Sequence, residues 1–175
     1  MTFFIGLPAP VTDYDDFVPS HYELVPVEQR HITLLYLGEI SRRELVKVRE
    51  TLELISRRKA PLKMSLHGLI ALPSTSRPKH LAIRVVKSYD LLRLRGELRQ
   101  FLRDMEKDRY TEYKPHITIA STRAKATLNL ILSVEKAVRR SLSKKIPLAI
   151  EKIALYEAEK GVVEPLSTYV LSGLP

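Results

Sequence analysis

The hydrophobic and polar positions fall into short alternating runs separated by stretches of helical period. Phe3 to Leu7 (FFIGL) predicts an opening strand, closed by Pro8 and Pro10. Residues 11–20 are polar and acidic and predict a loop. YELVPV at 22–27 predicts a second extended piece, with Pro26 marking an edge or a break. HITLLYLG at 31–38 has the clearest strand pattern, β-branched and aromatic residues ended by Gly38. Ser41 and Glu44 stand at the spacing of a capping box, where each side chain satisfies the other residue's free backbone N–H. Leu45, Val48, Leu52 and Ile55 follow at helical spacing, and the helix is expected to end in the basic SRRKAP segment.

Beyond this helix, LKMSLHGLIALP and KHLAIRVV predict strands, joined by PSTSRP, a connection long for a tight hairpin. A second amphipathic helix is predicted from about Tyr89 to Lys107, its apolar stripe formed by Leu91, Leu94, Leu98, Phe101, Leu102 and Met105. YKPHITIAS predicts a strand. A third helix is predicted over roughly Leu128 to Ser143, with Leu130, Val134, Val138 and Leu142 on one face. PLAIEKIALYEA and STYVLSGL are expected to close the chain as two strands.

The order of elements after His31 is the order after His116. Each histidine opens a His-Ile-Thr strand that leads through a loop and an amphipathic helix to further strands, LKMSLHGLIAL in one half standing where IPLAIEKIALY stands in the other. Such self-similarity predicts a duplicated unit. Two repeats are too few for a solenoid, so we expect an α+β fold in one domain, residues 1–175. Two antiparallel lobes related by a pseudo-two-fold axis would face one cleft, with helices outside.

Side chains alternate faces along a strand. His31 and Thr33 therefore share one face while Ile32 and Leu34 point into a core, and His116 and Thr118 stand in the same relation to Ile117 and Ile119. Two imidazoles and two hydroxyls converging on a small volume suit displacement at phosphorus. Histidine serves as acid or base near neutral pH, and threonine hydroxyls donate to non-bridging oxygens. A lone His-x-Thr is common by chance. Two in equivalent places, with flanks that differ while His and Thr stay the same, are a much stronger signal. His21, His67 and His80 carry less: His67 lies in a strand where its neighbours suggest packing.

Lys and Arg outnumber Asp and Glu by 29 to 20, a net charge of +9 that favours polyanionic partners. The chain has no cysteine, which excludes disulfides and thiolate metal sites. No histidines pair at metal-ligand spacing and there is no glycine-rich phosphate loop, so neither a metal nor another cofactor is expected. The amino-terminal segment lacks the pattern of a signal peptide and no stretch has transmembrane length. A soluble cytoplasmic protein is expected, as a monomer.

With these motifs in place, the chain resembles the 2H phosphoesterases, specifically the RNA 2′,3′-cyclic phosphodiesterase or 2′-5′ RNA ligase branch. HITLLYLGEI is similar to that family's first motif, with Tyr36 in the aromatic position. KPHITIAST is similar to the second through Ala120, after which Ser121 and Thr122 precede Arg123 where the family has an arginine directly. MTFFIGLPAP and the closing EKIALYEAEKGVVEPLSTYVL also resemble the family's first strand and last hairpin. The resemblance implies hydrolysis of RNA 2′,3′-cyclic phosphate ends, such as those of tRNA fragments or small cyclic nucleotides, without a metal. It also implies reversible 2′-5′ ligation of tRNA halves. It assigns His31 as proton donor and His116 as proton acceptor, which the residues alone leave open. It places Thr33 and Thr118 on the phosphate, with Arg123 and Lys114 as candidates for further substrate contacts. The alternative is a module that binds a nucleotide or RNA end without turning it over. A structural RNA-binding protein fits less well, since aromatics are 7% of the chain and tryptophan is absent.

Overall fold

The computed structural model describes residues 1–107 and 112–175. Among them the nine strands are β1 (Thr2–Pro8), β2 (Glu23–Leu24), β3 (His31–Gly38), β4 (Leu62–Pro73), β5 (Pro78–Val85), β6 (His116–Ser121), β7 (Lys145–Ile150), β8 (Lys152–Glu159) and β9 (Val162–Val170). The helices are α1 (Arg42–Arg58), α2 (Tyr89–Phe101) and α3 (Leu128–Ser141). All strand pairs are antiparallel, in the order β7-β4-β5-β6-β3-β1-β8-β9, and the short β2 joins β6. The fold is α+β.

The helices form where the sequence provides both a cap and an apolar stripe. Ser41 accepts from the Glu44 backbone while the Glu44 carboxylate takes the Ser41 N–H at 2.7 Å, the full capping box. Val48, Leu52 and Ile55 of α1 are buried, and the helix packs on β8 and β9. Ser88 and Thr127 cap α2 and α3 in the simpler manner. α2 packs on β3 and α3 on β4.

The sheet reads the same outward from the β3–β6 junction. From β3 come β1, β8 and β9; from β6 come β5, β4 and β7. One strand beyond each motif's helix crosses to the other motif's half: β4, directly after α1, lies on the β6 side, and β8, which follows α3 after the intervening β7, lies on the β3 side. β4 and β8 are thus the equivalent strands, and PLAIEKIALYEA is not one strand but parts of two. Its break falls at Glu151, which with the exposed Lys152 that opens β8 interrupts the alternation between buried Ile150 and Ile153.

Other expectations shift at their edges. The final strand begins at Val162 rather than Ser167, and only Glu23 and Leu24 of YELVPV pair. Ser74 to Arg77 do close a hairpin between β4 and β5, with the Ser74 hydroxyl accepting from the Arg77 N–H at 3.2 Å. α2 ends at Phe101, followed by a 3-10 turn at Arg103–Met105 that still buries Met105. Leu142, expected on the apolar face of the third helix, lies just past its end and is 46% exposed.

One core runs beneath the sheet and includes Ile5, Leu7, Ile32, Leu34, Ile83, Ile117, Ile119 and Leu155 together with the helix stripes. Beside the motif strand, Gly6 pairs with Thr33, and a Cβ at Gly6 would lie 2.9 Å from the Ile32 carbonyl oxygen and 3.2 Å from the Tyr156 ring. A backbone atom in a central strand yields little, so Gly6→Ala should destabilise the protein by about 1–3 kcal/mol. Gly96, exposed within α2, has nothing within 4 Å of its Cβ position. Gly96→Ala should instead stabilise by about 0.5–1 kcal/mol. Urea denaturation of the two variants, read as opposite shifts of the midpoint at constant slope, checks both.

Candidate active site

β3 and β6 are joined through the pair Ile32–Ile117, both fully buried. Their neighbours on either side therefore turn to the opposite face of the sheet. Antiparallel sense sets His31 towards Thr118 and Thr33 towards His116 across this seam. All four side chains are half-exposed. The two motif strands lie side by side, on one face of one sheet.

Each imidazole is tied in the same way. His31 Nδ1 lies 2.7 Å from the Gln29 carbonyl oxygen, and His116 Nδ1 lies 2.8 Å from that of Lys114. A carbonyl only accepts, so each Nδ1 carries the proton and each Nε2 is left to exchange a proton with a ligand. Neither Thr33 nor Thr118 spends its hydroxyl on another described residue.

The segment before His31 is itself held firmly. Arg30 is buried and forms a two-pronged pair with Asp15, Nη1 to Oδ1 at 2.7 Å and Nη2 to Oδ2 at 3.1 Å. It also donates to the carbonyls of Val11 and Val25. The acidic loop is thereby pinned against the start of β3. On the far side of the site, the Tyr113 hydroxyl donates to the Thr33 carbonyl at 2.7 Å. Arg95 Nε donates to the Leu34 carbonyl at 3.0 Å and stacks over the Tyr113 ring.

The surroundings of the two histidines differ. His31 sits against a stacked aromatic pair, its ring centroid 4.7 Å from Phe4 and 5.0 Å from Tyr156. This burial lowers the His31 pKa below the ordinary imidazole value. The hydrogen bond to Gln29 opposes the shift, and the neighbouring His116 adds to it. Burial also pushes the Tyr156 phenol up, so that residue offers a ring and no charge. Next to His116 stands Arg84, its direct partner on β5. Arg84 Nη2 donates to His67 Nδ1 at 3.2 Å, and His67 Nε2 donates to the Leu142 carbonyl at 3.1 Å. His67 is therefore on the open face holding an arginine, not packed in the core. The sequence signal for Arg84 was present in the alternation of KHLAIRVV, which places it two residues from Ala82, the partner of Thr118.

The remaining candidates are placed differently. Lys114 contributes its carbonyl to His116, while its side chain is exposed. Arg123 lies exposed in the loop after β6. That loop is anchored by Thr122, whose N–H reaches the Lys79 carbonyl and whose hydroxyl reaches that of His21. Among the described residues no group of three His, Asp or Glu side chains gathers as a metal site, and no helix is long and apolar enough to cross a membrane.

A family model described as the 2′-5′ RNA ligase superfamily matches residues 13–162. The chain belongs to that superfamily. It is 30% identical over 106 residues to the RNA 2′,3′-cyclic phosphodiesterase of Archaeoglobus fulgidus; the match spans 61% of this chain and 59% of that protein's length. It is 27% identical over 145 residues to the protein of the same name from Aquifex aeolicus, covering 80% of this chain and 74% of that one. The solved structure of TT0787 from Thermus thermophilus has the same fold, with a TM-score of 0.74 over 99% of both chains at 23% identity.

The electrostatics predict how the pair titrates. By NMR, the His31 ring should lose its proton at a midpoint below 6.5. In His116→Ala the midpoint should rise, because a like charge that disfavours the protonated form is gone, yet remain below 6.5 because burial persists. A His31 midpoint indifferent to His116→Ala would mean that the rings do not sense one another.

Proposed function

We propose that this chain hydrolyses RNA 2′,3′-cyclic phosphate ends to 2′-phosphomonoesters, with residues 1–175 acting as one domain and without a metal. The observation that carries the reading is the pair of histidines flanking one seam, each with Nδ1 on a backbone carbonyl and Nε2 left for the ligand. The names of the two relatives support the same activity.

His116 Nε2 takes a proton from water as the water oxygen attacks phosphorus. The P–O3′ bond breaks, and His31 Nε2–H protonates the departing O3′. The phosphate keeps its bond to O2′. Thr33 and Thr118 donate to the non-bridging oxygens as charge moves onto them. Burial opposes the charged form of His31 in the free protein. The phosphate anion between the rings offsets this once substrate is in place. A ribose 5′-hydroxyl in place of water gives a 2′-5′ linkage by the same displacement, which is the ligation reading.

His31→Ala and His116→Ala should each lower kcat by roughly 10²–10⁴-fold on a 2′,3′-cyclic phosphate. The double variant should lose little more, since the two act as a unit. Phosphorus NMR should find only the 2′-phosphomonoester; a mixture with the 3′ isomer would contradict a fixed acid and base.

kcat/KM should be bell-shaped in pH, because one ring must carry a proton and the other must not. The two limbs report the pair rather than either residue. Burial of His31 and repulsion between the rings both ease loss of the first proton, so the acid limb should lie below pH 6.5.

A further inference from the structure

We propose that Arg84, held by His67, receives the phosphodiester one nucleotide upstream of the cyclic end, so that the site selects oligonucleotides over mononucleotides. This rests on the cyclic phosphate sitting between the two histidines, as argued above. The order of strands then sets what Arg84 can reach. β3 carries His31, β6 carries His116, β5 carries Arg84 and β4 carries His67, in successive places across the sheet. Neighbouring strands lie about 4.8 Å apart. Arg84 is therefore one strand outboard of His116, and its bond to His67 turns the guanidinium a further strand outward, away from the reacting phosphate.

The hold is specific. Because the Leu142 carbonyl only accepts, His67 Nε2 carries the proton and Nδ1 is the acceptor that Arg84 needs. Neutral His67 thus fixes the long Arg84 side chain without neutralising it. No carboxylate of the described residues pairs with Arg84. The same face continues cationic beyond it: Lys145 is the direct partner of His67 on β7, and Lys63 is four residues from His67 along β4, both exposed.

A planar, permanently charged guanidinium in such a setting takes a phosphate by two parallel hydrogen bonds. A 2′,3′-cyclic phosphate occupies the 3′ end of its RNA, so the rest of the strand leaves only through O5′ of the terminal nucleoside. The first anion along that path is the upstream phosphodiester. A mononucleoside cyclic phosphate has no such group.

The test compares a mononucleoside 2′,3′-cyclic phosphate with a trinucleotide bearing the same cyclic end, in the parent protein and in Arg84→Ala, His67→Ala and the double variant. The parent should favour the trinucleotide. Arg84→Ala should lower kcat/KM for the trinucleotide roughly ten-fold more than for the mononucleotide, mostly through KM. It should also reduce the salt dependence of the trinucleotide KM by a slope of about 0.7, one phosphate contact. His67→Ala should shift the same ratio in the same direction and have no further effect on it in the Arg84→Ala background.

Equal losses on both substrates, or an unchanged ratio, would overturn the assignment. If the parent turned over neither substrate, that would count against the proposed hydrolysis alone. Fluorescence anisotropy with a trinucleotide ending in a 2′-phosphate then decides for Arg84: weaker binding in Arg84→Ala supports the contact, and unchanged binding overturns it.

Discussion

The contact between Ile32 and Ile117 is the constraint on which the site depends. Both side chains are driven into the core, and strand geometry leaves their neighbours no choice but the open face. Apolar burial at two positions thereby aims four polar side chains at one volume. Everything nearby serves to hold that seam. Gly6 lets the backbone of β1 pass close to Ile32, Arg30 fastens the loop that delivers His31, and Tyr113 and Arg95 hold the carbonyls of Thr33 and Leu34.

A duplicated unit would give two identical imidazoles, but the directional proton transfer proposed above needs two different ones. The backbone ties are the same in both halves; the neighbours break the equivalence. The residue opposite His31 is Pro8, and the residue opposite His116 is Arg84. One histidine is walled by aromatic rings, and its burial disfavours a charge there. The other stands beside a permanent cation. The side chains of the adjacent strands thus distinguish two histidines whose backbone ties are the same.

Much of this was legible in the sequence because it depends on short-range periodicity. The His-Ile-Thr strands, the capping box of Ser41 and Glu44 and the apolar stripe of α1 all follow from spacing, and the structure places them as expected. The repeat pointed to the two motif strands meeting at one place, but not to their direct pairing within one sheet. Less was legible where a residue's role is set by a partner distant in the chain. His67 looks like a packing residue until Leu142 and Arg84 are brought to its two ring nitrogens. Arg30 and Asp15 look like ordinary surface charges until the loop folds back. The run PLAIEKIALYEA misleads because a strand that ends and a strand that begins carry the same apolar signature.

The crossing of β4 and β8 into opposite halves has a kinetic consequence. β1 is an interior strand flanked by β3 and β8, and the Thr2 hydroxyl donates to the Ala158 carbonyl 156 positions away. The half of the sheet that carries His31 closes only when chain from far beyond His116 returns to it, at the entropic cost of a very long loop. Folding should therefore be governed by non-local pairing and be slow for the chain's length. During synthesis, His31 is the earlier of the two histidines to be made, yet its surroundings are completed only once Tyr156, well beyond His116, has been made.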